Sequence, residues 1–108
     1  MTELQSLLRT LGITANLRGF RYLKRATELA IEDPDCLLNI GKLIYNTVAQ
    51  EFETTPKCVE RNIRTLVALI WNKGDRSLLE HIAYTPLRKK PNNAAFISIL
   101  VSYLCDEN

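Results

Sequence analysis

Apolar residues recur at intervals of three and four along most of the chain, which is the spacing of one face of an α-helix. No stretch alternates between apolar and polar residues in the manner of a strand, so the pattern predicts an all-α fold of five to seven helices. The predicted helical segments run from Glu3 to Leu11, from Arg18 or Gly19 to Ile31, from Asp35 to Ile44, from Ile44 to Phe52, from Pro56 to Lys73, from Asp75 to Ile82, and from Asn92 or Asn93 to Leu104.

Residues that favour helix ends support these boundaries. Thr2 and Asp35 are expected to cap the first and third segments, Asp75 to cap the short segment after the long helix, and Asn92 or Asn93 to cap the last. Gly12 should end the first helix, and Gly41 should divide the third segment into two short pieces. The apolar positions expected to pack inward are Phe20, Leu23, Ala26, Thr27, Ala30, Leu37, Leu38, Ile40, Leu43, Ile44, Val59, Ile63, Leu66, Ile70, Trp71, Phe96, Ile97, Leu100, Val101 and Leu104.

The middle of the chain has the pattern of a helix-turn-helix over about residues 44–73. Ala49 is small enough for a second helix to cross closely, and Thr54 or Thr55 can accept a hydrogen bond from the start of that second helix. Pro56 suits its first turn, where a missing N–H has no partner to lose. Glu53 stands in the turn where glycine is common, which is a departure from the usual motif.

One flank of the predicted second helix is charged, and this flank is the candidate for contact with DNA. A helix in the major groove needs long donors for guanine and phosphate and an acceptor for cytosine. Glu60, Arg61 and Arg64 are therefore candidate base contacts, while Lys57 and Thr65 are candidate phosphate contacts. The alternative is a solvated flank in which Glu60 and Arg64 form an ordinary i,i+4 ion pair, and the spacing of the whole unit favours the motif.

Charge is distributed unevenly along the 108 residues, although the net charge is only +2. The first 25 residues contain five basic side chains and one acidic one, and residues 28–35 offset that surplus. Arg88, Lys89 and Lys90 lie together between two prolines with no acid nearby. These three are candidate phosphate contacts, and a solvated surface loop is an equal alternative.

Other functional classes find little support in the sequence. Three widely spaced cysteines without a CxxC pair argue against disulfides and a metal centre and favour a reducing cytoplasm. No apolar run is long enough for a membrane span, and no leader is apparent. The single histidine, His81, has no activated nucleophile beside it, and no glycine-rich phosphate loop exists, so neither an enzyme nor a cofactor is expected. The position of Cys58 near a helix N-terminus is consistent with a lowered pKa for its thiol, and an ordinary half-buried thiol is the favoured alternative.

Four stretches of this chain resemble, in order, the effector-domain family of stage zero sporulation protein A, the response regulator of endospore-forming bacteria. They are LLRTLGITANLRGFRYLKRA, LIYNTVAQEFETTPKCVERNIR, WNKGD and KPNNAAFISIL. The resemblance covers essentially the whole chain. It implies a six-helix domain that binds a short promoter box through the major groove, sits head-to-tail as tandem copies on double-stranded DNA, and contacts the sigma subunit of RNA polymerase.

The resemblance also implies roles for individual residues. Glu60, Arg61 and Arg64 match the last three charged members of the family's recognition run, and Cys58 takes the place of its first arginine. Cys58 is thus a candidate base-contacting position, although a thiol cannot make the bidentate guanine contact that is worth about 1–3 kcal/mol. The resemblance therefore does not define which base pair this chain prefers at that position of the box.

The sequence as a whole predicts a single DNA-binding effector domain over residues 1–108, in a sequence-specific transcriptional regulator. The family's phosphate-accepting receiver domain has no counterpart in these residues, so the chain is either an excised fragment or a stand-alone relative. The competing hypothesis is a protein-interaction module that has the same scaffold but has lost specific DNA recognition, and Cys58 favours it.

Overall fold

The computed structural model describes residues 3–13 and 18–105, and these residues form helices and loops without a strand. The elements are α1 (Glu3–Leu11), α2 (Arg18–Glu32), a 3₁₀-helix (Pro34–Asn39), a π-helix (Gly41–Tyr45), α3 (Asn46–Glu51), α4 (Pro56–Lys73), α5 (Arg76–Ala83) and α6 (Asn93–Cys105). The predicted all-α fold with six α-helices is confirmed. Thr2, the predicted cap of α1, lies outside the described residues.

All six α-helices contribute to one apolar core. Helix α2 buries all of the apolar positions that its sequence predicts. Helix α6 buries Phe96, Ile97 and Leu100, while Val101 and Leu104 are half-buried. The largest fully buried side chains are Phe96, Leu8, Leu11, Ile13, Leu23, Ile44, Ile63, Leu66, Ile70, Leu79, Ile82 and Ile97. Trp71, predicted to pack inward, is only half-buried, and the Arg76 guanidinium covers its ring, with 3.4 Å from Cζ to the ring centroid.

Helix α1 ends as predicted at Gly12. The backbone of this glycine has a φ of +112°, a conformation that L side chains rarely adopt. The N–H of Gly12 donates to the carbonyl of Arg9 at 3.0 Å, and the N–H of Ile13 donates to the carbonyl of Leu8 at 3.1 Å. This pair of bonds satisfies carbonyls that the end of a helix would otherwise leave without partners.

The segment after α2 departs from the sequence prediction in two ways. Asp33, not Asp35, is the cap: its Oδ1 accepts from the N–H of Asp35 at 3.2 Å, because Pro34 takes the first helical position. Leu38 and Leu43, predicted to pack inward, are 86% and 44% exposed. Leu38 lies in the 3₁₀-helix, which repeats every ~3.0 residues rather than every 3.6, so the spacing of an α-helix does not predict which of its side chains face inward. Leu43 lies in the π-helix. The division at Gly41 is confirmed, since the π-helix begins there.

Helices α2 and α4 cross closely at Gly19, which is buried. A Cβ built on Gly19 would lie 2.6 Å from the carbonyl oxygen of Asn62 and 2.8 Å from Cγ of Leu66, both in α4. Distances this short leave no room for a side chain. Gly19 therefore lets the two backbones approach, and the approach fixes how α4 is rotated against the rest of the fold.

We expect Gly19→Ala to lower the free energy of unfolding by ~1–3 kcal/mol, the usual cost of overfilling a packed contact. The loss should appear although alanine favours a helix over glycine by up to ~1 kcal/mol. Urea unfolding measures it. The matched control is Gly41→Ala, since no atom lies within 4 Å of a Cβ built there, and it should leave stability unchanged or raise it by up to ~1 kcal/mol. A Gly19→Ala variant as stable as the control would contradict the close crossing.

Candidate nucleic-acid interface

Helices α3 and α4 are joined by a four-residue turn, Phe52 to Thr55. Glu53 has a φ of +54°, so the position where glycine is common does adopt the left-handed conformation. Of the two candidate caps, Thr55 is the one used: its Oγ1 accepts from the N–H of Cys58 at 3.1 Å. Pro56 follows in the first turn of α4, as predicted.

Ala49, buried in α3, provides the small residue expected where α4 crosses.

The face of α4 opposite its buried stripe carries the predicted contact residues, and we call it the α4 ridge. It consists of Lys57, Arg61, Arg64 and Thr65, which are all exposed. Thr65 Oγ1 donates to the carbonyl of Arg61 at 2.9 Å, so this hydroxyl is held against the helix. The Arg64 side chain is 58% exposed. The cations of the ridge therefore face solvent and not another part of the described fold.

Glu60 lies at the edge of the α4 ridge and is half-buried. Its Oε2 is 3.6 Å from Nε of Arg64, so the i,i+4 ion pair considered in the sequence analysis does form. A surface pair on one helix contributes only about 0.3–0.5 kcal/mol and is screened by salt. The pair is too weak to hold Arg64 away from a competing ligand.

The basic loop, which we define as Arg88, Lys89 and Lys90, lies beside this edge of α4. Lys90 lines a cavity of about 370 Å³ together with Glu60 and Arg64. All three cations of the loop are exposed, and none forms an ion pair with another described residue. The structure thus brings Lys90 beside Glu60 and Arg64, which precede it by 26 or more residues in sequence.

Two hydrogen-bonded positions hold the basic loop in place. Before it, the N–H of Leu87 donates to Oε2 of Glu80 at 2.8 Å. After it, the buried Asn93 donates from Nδ2 to the hydroxyl of Tyr45 at 3.0 Å and to the carbonyl of Glu60 at 3.1 Å. Asn93 therefore ties the start of α6 to the π-helix and to α4 at once.

Asn93 is a positioning residue that sequence reasoning did not identify. The sequence offered Asn92 or Asn93 as the cap of α6, and Asn92 takes that role, with Oδ1 accepting from the N–H of Ala95 at 2.8 Å. The one available signal was the adjacent pair of asparagines, of which only one could cap the helix. Burial of the hydroxyl of Tyr45 raises its pKa, while the hydrogen bond with Asn93 opposes that shift.

Cys58 lies on the other flank of α4, toward α2. It is half-buried, and its Sγ accepts a hydrogen bond from Nδ2 of Asn62 at 3.3 Å. Positions 58 and 60 point about 160° apart around the helix. Cys58 and Glu60 therefore border the α4 ridge from opposite sides, and the ridge itself presents no thiol at its centre.

The pKa of the Cys58 thiol is lowered from its ordinary value. A hydrogen bond from the Thr54 hydroxyl lowers it most, burial opposes the shift, and a hydrogen bond from Tyr22 and the charges of Arg61 and Arg18 add smaller decreases. This is the direction considered in the sequence analysis, but the first cause is the threonine of the turn. These partners also show which side chains surround the sulfur.

No helix in residues 3–13 and 18–105 is both long and apolar enough to cross a lipid bilayer. All three cysteines are free thiols.

A model of a known protein family matches this chain over most of its length. The model of the family described as "Sporulation initiation factor Spo0A C terminal" matches residues 4–104. The matched range contains all of the α4 ridge, the basic loop and Asn93.

We expect Cys58 to be alkylated by iodoacetamide with a half-maximal rate at a lower pH than Cys36. The thiolate is the reactive form, and the pKa of Cys36 is raised by burial and by the carboxylate of Asp33, while that of Cys58 is lowered. Mass spectrometry of each peptide over a pH series measures both. Thr54→Val should shift the Cys58 inflection upward, and Thr47→Val, whose hydroxyl donates to the carbonyl of Leu43, should not. The same inflection at Cys58 and Cys36 would show that the thiol lacks this hydrogen bond.

Proposed function

The chain belongs to the family of Spo0A C-terminal domains, the DNA-binding effector domains of sporulation regulators, and we propose that it reads a short promoter box by placing α4 in the major groove. The observation that carries the proposal is the α4 ridge, whose cations face solvent beside the basic loop. A major groove about 12 Å wide admits one α-helix with its side chains. The ridge and the loop together suit such a docking.

Within this proposal the ridge residues divide into two kinds. Arg61 lies at the centre of the exposed face and makes a bidentate contact with guanine, while Arg64 contacts a base nearer the basic loop. Glu60 accepts from cytosine N4 once its weak pair with Arg64 opens. Lys57 and Thr65 bind phosphate on the helix flanks. These contacts specify sequence through the bases and orientation through the phosphates.

Arg88, Lys89 and Lys90 bind phosphate on the Glu60 side of α4. The anchors at Leu87 and Asn93 support this role, because they hold the loop against α4 while its three cations remain exposed. Phosphate contacts of this kind release counterions, so affinity should fall as salt rises. They add no preference for a particular sequence.

Cys58 faces the edge of a base without the bidentate geometry of an arginine, so we propose that the box is read less strictly at that position. Its location on the flank of the ridge supports this relaxed reading. The same observation favours the second candidate function, a protein-interaction module with this scaffold that has lost specific DNA recognition. Binding to duplex DNA separates the two candidates, since the module should show none above background.

We extend the proposal to partners and location as the family resemblance implies. Residues 1–108 act as one effector domain of a transcriptional regulator in the cytoplasm. Two copies bind head-to-tail on tandem boxes, and the domain contacts the sigma subunit of RNA polymerase. A duplex carrying one box and a duplex carrying two, compared by analytical ultracentrifugation, distinguish a monomer from a pair.

Arg61→Ala should weaken binding to the preferred box by about 1–3 kcal/mol and relax preference at one base pair. The box is first selected from a random duplex library with the unaltered chain, and affinity is then measured by fluorescence anisotropy against box and scrambled duplexes. The control is Lys73→Ala, at the far end of α4 and about 18 Å along the axis from Arg61, which should behave like the unaltered chain. Unchanged preference in Arg61→Ala would contradict the assignment of α4 as the reading helix.

Lys89→Ala should weaken box and scrambled duplexes alike, because a phosphate contact carries no sequence information. The slope of log affinity against log salt should become smaller by about 1 unit. The same titrations at four salt concentrations measure this. A loss confined to the box duplex would instead mean that Lys89 reads a base.

A further inference from the structure

We propose that Arg18 and Arg21, at the N-terminal end of α2, bind the phosphates of the DNA strand on the side of the major groove opposite the basic loop. This inference rests on the proposed function. It adds a second set of phosphate contacts, Arg18 and Arg21, to the DNA-binding surface. A helix in the major groove has a sugar–phosphate backbone on each side of it. The basic loop can reach only one of the two.

The two flanks of α4 meet different parts of the fold. On one flank, Glu60 and Arg64 share a cavity with Lys90, and Asn93 binds the carbonyl of Glu60. On the other flank, the backbone of Asn62 is in close contact with Gly19 of α2. The α4 ridge therefore has the basic loop on one side and the start of α2 on the other.

Arg18 lies on this second side because it directly precedes Gly19, which contacts α4. Its charge, like that of Arg61, lowers the pKa of Cys58. Arg18 and Arg21 together line a cleft of about 320 Å³ whose other side is the turn between α3 and α4, including Thr54. Both arginines are exposed.

These two arginines differ from the other cations of α2 in that they form no ion pair with a described residue. Lys24 Nζ is 2.9 Å from Oε2 of Glu28, and Arg25 Nε is 2.7 Å from Oε1 of Glu51. Arg18 and Arg21 form no ion pair among the residues that the structure describes. The positive charge of α2 is thus neutralised in its middle and left free at the end that borders the α4 ridge.

The positive charge of Arg18 does not stabilise α2. It is the first residue of the helix, and no acidic residue occupies the first turn. The N-terminal end of a helix carries partial positive charge, so a cation there is unfavourable. A ligand with negative charge would remove this conflict, and a phosphate group fits the requirement.

One carboxylate lines the same cleft. Glu53 lies in the turn, exposed and with no ion pair within the described ranges. Its charge would oppose a phosphate bound by Arg18 and Arg21. This opposition supplies an independent test, because removing the charge should have the reverse effect of removing an arginine.

The experiment compares full-length variants on the selected box and on a scrambled duplex over a salt series. In Arg18→Ala/Arg21→Ala the slope of log affinity against log salt should be smaller by about 2 units, with roughly tenfold weaker binding per arginine at 0.1 M salt for both duplexes. The thermal unfolding midpoint should not fall. Arg18→Lys/Arg21→Lys should keep the slope, Lys73→Ala should change nothing, and Glu53→Gln should tighten binding to both duplexes.

The outcomes separate this inference from the proposed function. Suppose that the double alanine variant keeps the slope and affinity of the unaltered chain while Arg61→Ala still loses base preference. Phosphate binding by Arg18 and Arg21 is then wrong, and base reading by α4 is supported. A loss confined to the box duplex would also overturn this phosphate binding, since phosphates are the same in both duplexes. Absence of duplex binding by the unaltered chain would overturn the proposed function itself.

Discussion

The backbone contact between α2 and α4 at Gly19 is the constraint on which the candidate interface depends. The carbonyl of Asn62 and the side chain of Leu66 occupy the space that any Cβ at Gly19 would need. Because this contact lets α4 pack closely with its apolar stripe inward, Val59 and Ile63 are buried and Arg61, on the opposite face, is exposed. It also brings the first turn of α2 beside the turn that precedes α4, so one contact orients the ridge and places Arg18 next to it.

A buried polar bridge secures the opposite flank. Asn93 donates to Tyr45 and to the carbonyl of Glu60, and no described buried side-chain polar atom lacks a partner. Hydrogen bonds in a dry interior are directional, and losing one partner leaves the other with its full desolvation cost. The bridge thus holds the end of the basic loop in one place relative to α4. An apolar contact of the same size has no such directionality, so it would let the end of the basic loop shift relative to α4.

Electrostatic pairing, more than net charge, determines where this chain is positive. With a net charge of +2 the molecule as a whole is almost neutral. Glu28 and Glu51 neutralise Lys24 and Arg25, and the hydrogen bond with Arg25 keeps the pKa of Glu51 below its ordinary value. The cations without such a partner include Lys57 and Arg61 of the α4 ridge, the basic loop, and Arg18 and Arg21 at the start of α2. Folding therefore places unpaired cations on α4 and on both sides of it, although the sequence is nearly balanced in charge.

The sequence by itself determined the helices and their buried faces, since a period of about 3.6 residues reports locally which side of a helix is apolar. It also determined local ends such as Gly12 and Pro56, because their backbone preferences act within one turn. Only the tertiary structure decided which flank of α4 meets which neighbour. Asn93 and Tyr45 are 48 residues apart in sequence, and no local pattern encodes their contact. The half-burial of Trp71 and the nearness of Arg18 to α4 have the same origin, because each depends on the distance between elements and not on the order of residues within one.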